Sequence, residues 1–159
     1  MLTDFESEIF VPLSCDLMFK KVFGDNENIE RLEALLSLYL DIPIEVLHGN
    51  VTIVNNEKRL KQQDEKRQEV DLLANIELIN GRERINIEVN KNYNKKLVID
   101  RNVSYAAGIF SSSLNSSQDY SELVPLTQIN FDVFDLYTDN KIVDVYKLRN
   151  NHKHILTKQ

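Results

Sequence analysis

Residues 70–90 read Val-Asp-Leu-Leu-Ala-Asn-Ile-Glu-Leu-Ile-Asn-Gly-Arg-Glu-Arg-Ile-Asn-Ile-Glu-Val-Asn, and their pattern decides the fold. Val70, Leu72, Ala74, Ile76 and Leu78 alternate with Asp71, Leu73, Asn75 and Glu77, the period of a strand with one buried face. Ile85, Ile87 and Val89 alternate in the same way with Asn86, Glu88 and Asn90. Asn80-Gly81 between the two runs is the strongest short hairpin signal. With Asn80 and Gly81 as a two-residue loop, Asp71 faces Asn90 and Leu73 faces Glu88, so all four share one face. Glu88 is then the diagonal neighbour of Asp71, about 7–8 Å away. Val70, Leu72, Ala74, Ile85, Ile87 and Val89 make the other face, which is expected to be core. Carboxylates at such a separation can share one divalent cation. The alternative is that this is the solvent face of an antiparallel hairpin, where polar residues belong. Leu73 argues that the face is partly covered, and a carboxylate among Val70, Leu72 and Leu73 is costly unless paired or coordinated.

Upstream, Ser14 and Asp16 can cap a short helix from about Leu17 that stops at Gly24. Ile29, Leu32, Leu35, Leu36 and Tyr39 fall at helical spacing and predict a second helix over 28–40, ended by Pro43. Residues 46–54 read as extended. Residues 55–67 are polar almost throughout and read as an exposed loop. Downstream, 91–98 form a basic loop and 99–114 a helix, with Val103, Ala106, Ala107, Phe110 and Leu114 turned to a core. Ile129, Phe131 and Val133 alternate as a strand, and Ile142, Val143 and Val145 suggest another. Strands interleaved with helices predict a single domain over 1–159, of mixed α/β or α+β class, its sheet covered by helices.

The chain has 159 residues, of which 42% are hydrophobic and 28% charged, an ordinary globular composition. No run approaches the roughly 20 apolar residues of a membrane span, and the acidic N-terminus has no apolar targeting segment. The single cysteine, Cys15, excludes a disulfide framework and reads as a small buried hydrophobe. These features predict a cytoplasmic location and no membrane partner. The net charge of −6 is segregated: residues 1–50 hold 3 basic and 10 acidic residues, residues 51–100 hold 10 and 9. Lys91, Lys95, Lys96 and Arg101 make a local basic edge, which suits a phosphate backbone as well as it suits a solvated loop.

Taken in order, these segments resemble the PD-(D/E)XK nuclease superfamily, and within it the recombination-promoting nuclease (Rpn) and transposase branch. Asp16-Leu-Met-Phe19-Lys20-Lys-Val-Phe23-Gly24 is similar to the branch's N-terminal box. Val70-Asp71-Leu72 resembles the strand with the metal-binding aspartate, and Ile87-Glu88-Val89-Asn90 the following Glu-x-Gln strand. Arg101 and Tyr105 resemble the Arg…Tyr pattern that opens the next helix, and 120–130 the turn and strand after it. The likeness spans roughly 12–137.

The resemblance implies a restriction-endonuclease-like core, over about 12–147, with a central mixed sheet carrying the hairpin and flanked by helices. It implies a metal-dependent DNA endonuclease linked to transposition or recombination. Asp71, Glu88 and the Val89 carbonyl would bind Mg²⁺ or Mn²⁺, and Asn90 would orient the attacking water. Lys91, Lys95, Lys96 and Arg101 would hold DNA phosphates. Asp16, Lys20 and Tyr105 are accessory candidates, although an N-cap, a solvated charge and a packing aromatic explain them as well. His48, His152 and His154 match no family position. Asn90 stands where the superfamily commonly has lysine and the branch glutamine. A catalytically weak or inactive nuclease fold that binds DNA or a protein is therefore the competing reading, and a defence or toxin role uses the same site. Homodimerisation would suit two-strand cleavage. Related proteins carry a helical region after the core, so a chain ending at Gln159 is expected to lack it.

Overall fold

The computed structural model describes residues 12–54, 70–91, 94–114 and 117–134. Its elements in chain order are α1 (Asp16–Phe23), α2 (Ile29–Leu40), α3 (Ile44–Leu47), β1 (Val51–Ile53), β2 (Leu72–Leu78), β3 (Gly81–Asn90), α4 (Lys95–Ser111) and β4 (Leu126–Asp132). The strands form one sheet in the order β1-β2-β3-β4. β1 and β2 are antiparallel, as are β2 and β3, while β4 runs parallel to β3. The parallel step is what requires α4 as a crossover. The architecture is α+β, a mixed four-stranded sheet with helices.

Strand periodicity sends alternate residues to the two sides of the sheet. Leu72, Ala74 and Ile76 of β2, with Ile85, Ile87 and Val89 of β3, pack on Phe19, Leu32 and Leu36 of α1 and α2. The rings of Phe19 and Phe23 lie 4.9 Å apart, and Phe131 of β4 lies 6.0 Å from Phe19 and 5.1 Å from Tyr39. The two phenylalanines of the N-terminal box thus fasten α1 to the sheet. Beneath α4 lies a smaller cluster of Val70, Leu73 and Ile109. Val70 belongs there and not to the main core, because the chain bends at Asp71 before β2 begins.

The hairpin turn is displaced from its expected place. Leu78 pairs with Gly81, so Ile79 and Asn80 are the loop residues and Gly81 opens β3 with φ +125°. Asn80 does not take the positive φ that a two-residue Asn-Gly loop requires. The glycine follows the turn and supplies the left-handed backbone there. The register moves by two residues, which preserves every residue's face. Continuing the pairing Leu72↔Ile87 by one step puts Asp71 directly opposite Glu88, closer than the diagonal expected.

Several boundaries also differ. Cys15 is the N-cap of α1 without a side-chain bond, and Asp16 is its first helical residue. α2 ends at Asp41, in the left-handed region at φ 55°, ahead of Pro43, which instead caps α3. Residues 44–47 are therefore helical and only 51–53 extended. α4 begins four residues early because the Asn94 side chain accepts the Leu97 amide at 3.3 Å and caps it. Lys95 and Lys96 consequently lie in a first helical turn and not in a loop. The expected loop over 55–67 and the expected strand at 142–145 lie outside the described residues, as do His152 and His154. Among the described residues no helix is long and apolar enough to cross a membrane.

Candidate active site

The face of β3 beneath α4 carries Arg84, Asn86, Glu88 and Asn90, and all four are buried. A row of polar side chains so deep must be bonded or bear a function. Asp71, half-buried, stands across from Glu88. Its Oδ2 accepts the Val89 backbone N–H at 2.8 Å, so the side chain takes over the sheet ladder where β2 begins. Burial raises the Asp71 proton affinity; the Val89 bond opposes this, the charge of Asp16 adds to it, and Lys20 and Arg101 oppose it.

Glu88 is only 2% exposed. Asn86 Nδ2 donates to its Oε1 at 3.2 Å and also to Gln128 Oε1 at 3.2 Å. Gln128 in turn donates to the Asn102 carbonyl of α4 at 3.2 Å and to Asn130 at 3.0 Å. Burial first, and the Asp71 charge second, push the Glu88 carboxyl up to about 7, against the opposing Asn86 bond and Arg101 charge. Both carboxyls disfavour ionisation because of burial, and a neighbouring carboxylate adds to this, Asp16 for Asp71 and Asp71 for Glu88, so a cation would relieve the site.

Asn90 is fully buried and held at both ends of its amide. Its Nδ2 donates to Asp132 Oδ1 at 2.6 Å, and Arg101 Nη2 donates to its Oδ1. Arg101 therefore points from α4 toward the sheet and is not on the helix's exposed face. Its guanidinium lies 5.8 Å from the centre of the Tyr105 ring.

The remaining candidates fall around this centre. Asp16 and Lys20, one turn apart on α1, both act on Asp71 through charge. Lys91 Nζ pairs with Asp16 Oδ1 at 2.8 Å, and this pair is exposed. Lys96 is exposed on α4. The structure thus brings Asp71, Glu88, Asn90 and Arg101 together, with Asp16 and Lys20 beside them, and ties Lys91 to Asp16.

Asp132, Asn86, Gln128 and Asn102 do not stand out in the sequence as site residues. Asp132 carries a weak signal: it lies between Phe131 and Val133, off the apolar face of an alternating strand. Its meeting with Asn90 depends on the parallel register Asn90↔Asp132, which no local pattern encodes.

The donor set fits a hard divalent cation. Among the described residues no group of three or more His, Cys, Asp or Glu side chains lies close enough together to hold a metal ion. Asp71 and Glu88 offer two carboxylates and Val89 a backbone carbonyl. Mg²⁺ is commonly held by one or two carboxylates with water and substrate phosphate completing its shell.

No curated protein and no solved structure matches the chain. The family model described as PD-(D/E)XK nuclease family transposase matches residues 13–159. That span takes in the N-terminal box, the carboxylate pair and the crossover helix, and the chain belongs to the PD-(D/E)XK nuclease transposase family.

Proposed function

We propose that the protein is a metal-dependent DNA endonuclease that hydrolyses phosphodiester bonds in transposition or recombination. The observation that carries the reading is the closeness of Asp71, one residue before β2, to Glu88 of β3, both with raised proton affinity from burial and, for Glu88, from the Asp71 charge. Asp71, Glu88 and the Val89 carbonyl hold Mg²⁺ or Mn²⁺. Bound there, the ion supplies Lewis acidity toward the attacking water and the scissile phosphate. The protein's own contribution is orientation. The Val89 amide fixes the Asp71 carboxylate, and the Asn86–Gln128–Asn102 chain fixes Glu88. α4 lies over this polar face, and the burial of Glu88 strengthens its hold on a cation. Lys95 and Lys96, in the first turn of α4, would hold DNA phosphates.

The test is nicking of supercoiled plasmid by purified protein with Mg²⁺, Mn²⁺ or EDTA. Cleavage is expected with either ion and none with EDTA. Asp71→Ala and Glu88→Ala are expected to abolish cutting while the protein still melts cooperatively. The uncharged Asn90 favours a second reading, a nuclease fold that only binds. That reading takes over if wild type shows neither cleavage nor stabilisation by divalent ions and Asp71→Ala binds DNA as wild type does.

A further inference from the structure

Where a charged residue would be expected at the end of β3, the chain has the neutral Asn90, and the structure puts a cation against it from another element. Arg101 Nη2 donates to Asn90 Oδ1. The orientation of that amide is not arbitrary. Asp132 can only accept, so its 2.6 Å bond takes the Nδ2 end and turns Oδ1 to the guanidinium. Arg101 Nε is buried and has no partner among the described residues, an unsatisfied donor beside two carboxylates. The Tyr105 ring lies 5.8 Å from the guanidinium. The same guanidinium is near enough to oppose the raised proton affinity of both Asp71 and Glu88.

We propose that Arg101 is a catalytic residue that supplies the active site's fixed positive charge to the scissile phosphate, and that Asn90, oriented by Asp132, is the positioning residue that holds it there. The inference rests on the nuclease reading above. In the hydrolysis, the water oxygen bonds to phosphorus and the bond from phosphorus to the leaving sugar oxygen breaks. The water gives up a proton to solvent and the leaving oxygen gains one from solvent. Arg101 stays protonated throughout and donates hydrogen bonds to the phosphoryl oxygens as they gain charge. A guanidinium fork matches two such oxygens in a way that an ammonium does not. An anionic oxygen also gives the unsatisfied Nε donor its missing acceptor.

The experiment compares wild type, Arg101→Met, Arg101→Lys, Asn90→Ala and the Asn90→Ala/Arg101→Met double variant, each shown to melt cooperatively, with Asn90→Ser replacing Asn90→Ala if the latter does not fold. Three quantities are read: single-turnover nicking rate with Mn²⁺, DNA affinity with Ca²⁺, and Mn²⁺ affinity by calorimetry without DNA. Arg101→Met is expected to nick about a hundredfold or more slowly. It is also expected to bind Mn²⁺ roughly fivefold or more tightly, because a cation beside the two carboxylates has been removed. Arg101→Lys keeps near wild-type Mn²⁺ affinity and recovers part of the rate. The double variant nicks no more slowly than Arg101→Met, because the two residues act as a unit.

Unchanged or weaker Mn²⁺ binding in Arg101→Met overturns the placement of its charge. A loss of DNA affinity with the nicking rate intact makes Arg101 a backbone contact only and overturns its catalytic role. Additive losses in the double variant overturn the positioning role of Asn90. Wild type that binds Mn²⁺ but never cuts overturns the nuclease reading and the catalytic role with it, while the calorimetry still decides where the Arg101 charge acts. Wild type that does not bind Mn²⁺ overturns both.

Discussion

Metal-free protein should lose stability as pH rises from about 5 to 7, and Glu88 should be the cause. The folded state pushes this carboxyl up to about 7 from its ordinary 4.5. The folded chain therefore keeps a proton that the unfolded chain releases. Glu88's contribution is fully present below the unfolded value and is lost as pH climbs through the folded one. The gap corresponds to about 3 kcal/mol. Against a typical total of about 5–15 kcal/mol, that is a large fraction. Asp71 is raised as well and adds in the same direction. The assay is urea unfolding in EDTA across this range, on wild type and Glu88→Gln. Other carboxylates titrate in both proteins, so the difference between the two curves isolates Glu88. The wild-type curve should fall relative to the variant's as pH rises. Divalent ion at one hundred times its dissociation constant should restore about 2.7 kcal/mol near pH 7 in wild type and less in Glu88→Gln. Parallel curves in EDTA would refute the claim that burial and the Asp71 charge hold a proton on Glu88.

Replacing Lys95 and Lys96 together by alanine should weaken DNA binding alike for all sequences and lower the slope of log affinity against log salt by about 0.9 for each phosphate no longer neutralised, read by fluorescence anisotropy. Phe19→Ala should cost about 3–5 kcal/mol in urea unfolding, because Phe19 is 4% exposed and joins α1 to the sheet.

The hairpin is legible in the sequence because a period of two survives an error in the turn. A register displaced by two residues leaves Asp71, Asn86, Glu88 and Asn90 on their shared face and changes only which residues stand opposite. The N-terminal box is legible as a motif, and its physical sense is the aromatic cluster of Phe19, Phe23 and Phe131. What stays hidden depends on meetings between distant segments. Asp132 reaches Asn90 only through the parallel pairing of β3 and β4, and Lys91 meets Asp16 only once α1 is docked.

The helix α4 shows why hydrophobic spacing misleads beside a functional face. Val103, Ala106, Ala107, Phe110 and Leu114 read as its core-facing side, but Val103 is 64% exposed and Val98 is 1% exposed. The inward side is Val98, Arg101, Asn102, Tyr105 and Ile109, a stripe at helical spacing that is half polar. The rule that a helix turns its most apolar face inward assumes an apolar surface beneath it. Here the surface beneath is the polar row of β3, and a helix that must meet Asn90 and Gln128 brings Arg101 and Asn102 to them. This inversion has a direct measure in one pair of identical truncations. Val98→Ala removes two methyl groups from a closed space and should cost about 2 kcal/mol. Val103→Ala removes the same atoms from solvent and should stay within about 0.5 kcal/mol of wild type, the more so because alanine is the better helix former. Equal costs in urea unfolding, or a larger cost at Val103, would show that α4 faces the sheet with its apolar side, and the hydrogen bond from Arg101 to Asn90 could not then exist.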